Sequence, residues 1–76
     1  MNTFERVKGI VVEKLGCEDD DVTLDANLFD DLGADSIDII EIAIVIEEEF
    51  HLEISSEEAE RLSTINSVIK YVEEHQ

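Results

Sequence analysis

The sequence has few of the residues that brace small proteins or build chemical sites. It has no proline, no tryptophan, three glycines and one cysteine among 76 residues, and 5% of its residues are aromatic. One cysteine excludes an internal disulfide framework and a cysteine-rich zinc site, and it favours a reducing compartment. A chain this short forms one small domain with a thin core. We therefore expect a single domain, residues 1–76, held together by packing and too small for a deep enzyme pocket.

Long apolar runs are also missing. The longest stretch without a charged residue is too short to cross a bilayer, and the N-terminus lacks the basic-then-apolar order of a signal peptide. We expect a soluble, cytoplasmic, monomeric protein that does not insert into membranes.

Positive charge is scarce. The chain has 5 Lys and Arg against 21 Asp and Glu, for a formal net charge of -16. Residues 15–60 contain no Lys or Arg but hold 17 of the 21 acids. With so few cations to neutralise phosphates, we expect no nucleic-acid partner. The 43% hydrophobic content is too high for a disordered acidic tail, so we expect a folded domain whose negative side attracts basic partners.

Apolar residues recur at helical spacing in four segments, which predicts an all-α fold: a small four-helix bundle with a long first loop and a short third helix. The predicted helices are Thr3–Leu15, Ser36 to about Phe50, Ser56–Arg61 and 65 to about 74. Asn2 with Glu5, and Ser55 with Glu58, have the spacing of N-terminal caps. Gly16 suits the position just past a helix end. These residues predict where the first and third helices start and where the first one stops.

An acid-rich connection of 19 residues, 17–35, shows no sustained period. A loop this long in a compact domain needs anchors in the core. We expect apolar side chains of the loop to supply them: Val22, Leu24, Leu28, Phe29 and Leu32.

The second helix is ambiguous by composition, because residues 37–46 contain six Ile and one Val and β-branched residues favour strands. The length of the run, its lack of Gly and Pro, and Asp35 followed by Asp38 favour a helix. One face, expected in the core, carries Ile39, Ile42, Ala43, Ile46 and Phe50. The nearly opposite face carries Ile37, Ile40 and Ile44 interleaved with Glu41 and Glu48. A domain this small cannot cover both faces, and exposed apolar surface usually marks a partner site.

Ser36 lies at the first turn of this helix, within the sequence Gly-Ala-Asp-Ser-Ile-Asp at 33–38. As a catalytic nucleophile it would need a general base within hydrogen-bond reach. His51, the nearest histidine in sequence, is about 22 Å away along a continuous helix. His75 is near the terminus and is expected to be solvated. We therefore assign no catalytic residue.

The chain resembles an acyl carrier protein of the freestanding, type II kind that serves fatty-acid synthesis. The resemblance covers essentially all 76 residues, and its most specific parts are Gly-Ala-Asp-Ser-Ile-Asp at 33–38, Glu-Glu-Glu-Phe at 47–50 and Ser-Glu-Glu-Ala-Glu at 56–60. The family is a four-helix bundle with a short third helix, which agrees with the periodicity. Where the family motif reads Asp-Ser-Leu, this chain has Ile37, which keeps the apolar volume and adds a branch at Cβ.

The resemblance implies that Ser36 is esterified through phosphate to 4'-phosphopantetheine, whose thiol carries fatty acyl groups as thioesters. A separate phosphopantetheinyl transferase would attach this group from coenzyme A, so the chain is a carrier and a substrate, not an enzyme. The resemblance also implies a pocket for a saturated acyl chain inside the bundle, lined by Leu28, Ile46, Ala59, Leu62 and Ile69.

The exposed isoleucines and the acids beside them are the expected docking surface for this transferase and for basic patches of fatty acid synthesis enzymes. Its residues are Asp35, Ile37, Asp38, Ile40, Glu41, Ile44, Glu47 and Glu48. The isoleucines supply contact area, and the carboxylates are expected to meet Arg and Lys of the enzyme.

Two other interpretations of the function stay open. A carrier of a polyketide, D-alanyl or peptidyl cargo would share the serine, and an unmodified acidic module that binds a basic protein would share the charge. A calcium loop counted from Asp19 has Asp21 and Thr23 in place, but Leu24 stands where the EF-hand needs Gly and Asp30 replaces its Glu. We expect no specific metal site.

Overall fold

The computed structural model describes residues 2–75, and this part of the chain contains four α-helices. They are α1 (Thr3–Leu15), α2 (Ser36–Phe50), α3 (Ser56–Arg61) and α4 (Ile65–His75). A single 3-10 turn, Asp19–Asp21, lies in the long first loop. The predicted all-α bundle is confirmed. No helix within residues 2–75 is long and apolar enough to cross a membrane.

Side chains cap the helices at the predicted positions. The Asn2 side chain accepts the Glu5 N–H at 2.8 Å, and Gly16 ends α1 in the left-handed region with φ 70°. At the start of α3 the Ser55 side chain accepts the Glu58 N–H, and the Glu58 carboxylate accepts the Ser55 N–H. Caps of this kind are typically worth about 1 kcal/mol each, so local sequence fixes these helix ends.

Most of the core comes from one face of each long helix. The predicted face of α2 is buried: Ile39, Ile42, Ala43, Ile46 and Phe50. It packs with residues of α1 and α4: Val7, Val11, Ile65, Val68, Ile69 and Val72. The isoleucine-rich segment is therefore a helix despite its strand propensity, because burial in the bundle outweighs that weak preference.

The long loop is anchored by apolar side chains, as its length requires. Val22 and Leu28 are buried, and Phe29 and Leu32 are half-buried against the core. These four predicted anchors are confirmed. The loop is also bonded through its backbone, since the Leu28 N–H donates to the carbonyl of Ser63 at 2.7 Å.

The prediction that Leu24 anchors the loop is wrong, because its side chain is 49% exposed. A turn over residues 23–26, closed by the Ala26 N–H on the Thr23 carbonyl at 3.1 Å, breaks the extended chain there. Leu24 contacts the bundle through its carbonyl instead, which accepts the Asn66 N–H at 3.0 Å. The pattern of apolar residues in the sequence cannot predict a backbone hydrogen bond of this kind.

Candidate functional site

Ser36 is the first residue of α2, and it is exposed. The carboxylates on either side of it form a reciprocal cap. Asp35 Oδ1 accepts the Asp38 N–H at 2.9 Å, and Asp38 Oδ2 accepts the Asp35 N–H at 3.1 Å. The backbone is therefore fixed on both sides of the Ser36 hydroxyl.

The segment that leads into α2 is also held firmly. Gly33 has φ 74°, a left-handed conformation that glycine adopts without steric cost. Ala34 follows it into the core, and its N–H donates to the Leu28 carbonyl at 2.8 Å. The backbone that precedes Ser36 is therefore held in one conformation.

The N-terminal end of α2 is chemically suited to an anion attached at Ser36. The first N–H groups of a helix have no carbonyl partner within it, and the helix dipole places partial positive charge there. A phosphate ester on the hydroxyl would lie near these N–H groups, which offsets repulsion from Asp35 and Asp38.

The histidines make their contacts elsewhere. His51 follows the C-terminal end of α2, about 22 Å along its axis from Ser36. His75 stacks on Tyr71 with ring centroids 3.9 Å apart and is exposed, as expected. His51 therefore cannot serve Ser36 as a general base.

The outer face of α2 is apolar and uncovered, as predicted. Ile37, Ile40 and Ile44 are 69%, 39% and 50% exposed. Glu41 and Glu48 lie beside them and are exposed too. We call these five residues the α2 face.

Glu47 and Glu49 differ from these free carboxylates because each has a partner within the chain. Glu47 Oε2 accepts the Ile54 N–H at 2.9 Å. Glu49 Oε2 pairs with Arg6 at 2.7 Å, and the Arg6 guanidinium also lies 4.2 Å from the centroid of the Phe50 ring. The sequence analysis treated Glu47 and Glu48 alike. Helical spacing cannot indicate that Glu47 bonds to Ile54 in the segment between α2 and α3.

A small apolar cavity of about 10 Å³ lies within the bundle, lined by Leu28, Ile39, Ile42, Ala43, Ile46, Ile54, Ala59, Leu62 and Val68. A cavity of this size holds at most about one water molecule. Four of the five residues that the resemblance implies for an acyl pocket line it. The fifth, Ile69, is buried but does not line it; α4 contributes Val68 instead, because neighbouring helical residues point about 100° apart.

A larger cleft of about 170 Å³ opens at the surface between α2 and α3, lined by Ile40, Ala43, Ile44, Glu47, Ile54, Ser55, Ser56 and Ala59. It adjoins the α2 face through Ile40 and Ile44. Sequence reasoning missed this cleft and the part that Ile54 takes in it. Ile54 lies between α2 and α3, where neither helical periodicity nor a capping pattern in the sequence indicates that it is buried.

The acids of the long loop bond to nearby backbone. Asp31 Oδ2 accepts the Asn27 N–H at 2.7 Å, and Asp21 Oδ2 accepts the Glu18 N–H at 3.2 Å. Across residues 2–75, no group of three or more His, Cys, Asp and Glu side chains is arranged to hold a metal ion.

Three groups away from Ser36 have shifted pKa values: Cys17, Glu58 and Tyr71. Burial raises the pKa of the Tyr71 hydroxyl. Burial raises the pKa of the Cys17 thiol, and the negative charges of Asp21 and Asp19 raise it further. A raised pKa keeps the thiol protonated and therefore weakly nucleophilic. The Ser55 N–H holds the pKa of Glu58 below its usual value.

Comparison with known proteins gives consistent results. The family model described as a phosphopantetheine attachment site matches residues 5–72. Among solved structures, an acyl carrier protein of high thermal stability from Enterococcus faecalis is 35% identical, with a TM-score of 0.82 over 97% of this chain and 94% of that chain.

Proposed function

Because the chain belongs to the acyl carrier protein family, we propose that it carries fatty acyl groups as thioesters on a 4'-phosphopantetheine arm attached to Ser36. The domain is a carrier and is not itself catalytic. The observation that carries the proposal is the exposed Ser36 at the start of α2, held by the bonded pair Asp35 and Asp38 and followed by the exposed isoleucines of the α2 face.

The residues around Ser36 fit this group. An exposed hydroxyl leaves room for a bulky phosphodiester, and the N-terminal end of α2 favours its negative charge. The arm supplies a terminal thiol that forms the thioester. His51 lies at the far end of α2 and cannot activate the Ser36 hydroxyl, which supports attachment of the arm by a separate phosphopantetheinyl transferase with coenzyme A as donor.

The proposed docking surface is the α2 face together with Asp35, Asp38 and Glu47. Its exposed isoleucines offer apolar contact area, and its carboxylates attract Arg and Lys of the transferase and of fatty acid synthesis enzymes. The net charge of -16 supports long-range attraction of such basic patches. Added salt should therefore slow association.

The proposed acyl-chain site is the apolar cavity between α2, α3 and α4. Its lining is entirely apolar, and each methylene that leaves water completely gains about 0.8 kcal/mol. The present volume of about 10 Å³ requires the walls to move apart around a chain. Such movement would involve the short α3 and its connection to α2, which supply Ala59 and Ile54 to the lining.

The cargo is tested on the protein isolated from its own cells. Intact mass shows whether the arm is present, and hydroxylamine releases any thioester-bound acyl group for identification. We expect saturated fatty acyl groups. A polyketide, D-alanyl or peptidyl group would replace the fatty-acid role with that of the corresponding carrier, and a chain without the arm would indicate an unmodified acidic binding module.

A further inference from the structure

The apolar cavity and the cleft between α2 and α3 share part of their walls. Ala43, Ile54 and Ala59 line both of them. The two alanines belong to α2 and α3 and contribute only methyl groups. Ile54 is the one large side chain of the wall, it is 8% exposed, and it lies in the connection between the helices. Ile54 is therefore the one large side chain that contacts both volumes.

Contacts with α2 and α4 hold this connection in place. Glu47 Oε2 accepts the N–H of Ile54 itself at 2.9 Å, and the Glu47 carbonyl accepts the Leu52 N–H at 3.2 Å. On the other side, the Tyr71 hydroxyl donates to the Glu53 carbonyl at 3.0 Å. Among these contacts, the Glu47 carboxylate is the only side-chain group that bonds to the backbone of Ile54.

We propose that Glu47 is a latch: its bond to the Ile54 N–H keeps the Ile54 side chain between cavity and cleft, and release of that bond joins the two into one route for the acyl chain. The inference rests on the proposed function and adds a control of access to its acyl site. Glu47 is a positioning residue in this scheme. Without its carboxylate the half-buried N–H of Ile54 loses its partner, which favours movement of the connection toward water.

The latch is tested first on the unmodified chain by amide hydrogen exchange of Ile54, followed by NMR. Glu47→Ala removes the acceptor, Glu47→Gln keeps an acceptor oxygen but removes the charge, and Glu48→Ala removes a neighbouring free carboxylate. Relative to the wild type, we expect Ile54 exchange to be about fivefold faster in Glu47→Ala, the effect of one lost hydrogen bond. Glu47→Gln and Glu48→Ala should exchange at close to the wild-type rate.

The second measurement is the rate at which hydroxylamine cleaves an octanoyl thioester loaded on the arm. A chain that leaves the cavity more often exposes its thioester more often, so cleavage should be about fivefold faster in Glu47→Ala than in the wild type and unchanged in Glu47→Gln. Because both Glu47 variants lose the charge, a difference between them reports the bond and not docking.

The inference is overturned if Ile54 exchanges as slowly in Glu47→Ala as in Glu48→Ala, if Glu47→Gln exchanges as fast as Glu47→Ala, or if cleavage is equal in all variants. Failure of the proposed function gives a different result: the wild type would then gain no phosphopantetheine arm when incubated with a transferase and coenzyme A. The exchange experiment needs no arm and decides whether the latch exists in that case as well.

Discussion

At the scale of single residues, Ser36 has a counterpart in Ser56. Each is the exposed first residue of a helix, and each follows a residue that forms a reciprocal cap with the third residue of the helix. Helix-start geometry therefore does not distinguish Ser36, the proposed attachment site, from Ser56. Ser36 differs because the long α2 and its exposed isoleucines follow it, whereas Ser56 starts a helix of 6 residues.

The cap of α3 gives a pH prediction. The Ser55 N–H bond lowers the pKa of folded Glu58 below its unfolded value, so ionised Glu58 stabilises the fold above the unfolded pKa. That contribution is lost as pH falls through the folded pKa. The stability advantage of the wild type over Glu58→Gln, measured by urea unfolding, should shrink between about pH 7 and about pH 3. Glu57→Gln is the control, and an advantage that stays constant with pH would refute this role.

At the scale of elements, the sequence predicts what depends on local pattern. The caps at Asn2 and Ser55 and the two faces of α2 follow from spacing, and the structure has them. Leu24 was misplaced because its contact runs through the backbone carbonyl. Likewise the bond between Glu47 and Ile54 joins a helix to a non-periodic segment, and only the folded chain shows it.

The α2 face gives a docking prediction. Glu48→Lys and Ile44→Glu change exposed side chains, so the melting temperature should stay near that of the wild type. Loading by a phosphopantetheinyl transferase, measured as kcat/KM, should fall about tenfold, equivalent to about 1.4 kcal/mol of lost contact. Glu73→Lys, on the exposed part of α4, should load normally. Equal kcat/KM in all four proteins would exclude the α2 face as the docking site.

The end of α2 gives a stability prediction. The backbone of His51, just past the end of α2, has the left-handed conformation with φ 56°, which glycine adopts without strain. Relief of this strain should exceed the entropy cost of a glycine, so His51→Gly should stabilise the fold by about 0.5–1 kcal/mol in urea unfolding. Glu48→Gly, inside the helix, should destabilise it by about 1 kcal/mol. Destabilisation by His51→Gly would show that the imidazole makes a stabilising contact that outweighs the backbone strain.

At the scale of the whole molecule, a thin core is combined with a strongly negative surface. Domains of this size have little stability in reserve, so a ligand that adds apolar contact inside the bundle has a large relative effect. The proposed acyl site is the core itself, so the proposed carrier role links cargo binding to the stability of the fold.

This link predicts that cargo stabilises its carrier. An octanoyl thioester should raise the melting temperature by at least about 4 °C over the form with a free thiol, because burial of even two methylenes exceeds 1 kcal/mol. An acetyl thioester is the matched control, since it is too short to fill the cavity and should leave the midpoint nearly unchanged. Equal midpoints for all three forms would place the octanoyl chain outside the bundle.

The central claim is that Ser36 carries the arm, and intact mass spectrometry tests it most directly. The wild type, Ser36→Ala and Ser56→Ala are each incubated with a phosphopantetheinyl transferase and coenzyme A, and circular dichroism confirms that all three are helical. We predict that the wild type and Ser56→Ala gain the mass of one arm and that Ser36→Ala gains none. A mass gain in folded Ser36→Ala, or its loss in Ser56→Ala alone, would contradict the assignment.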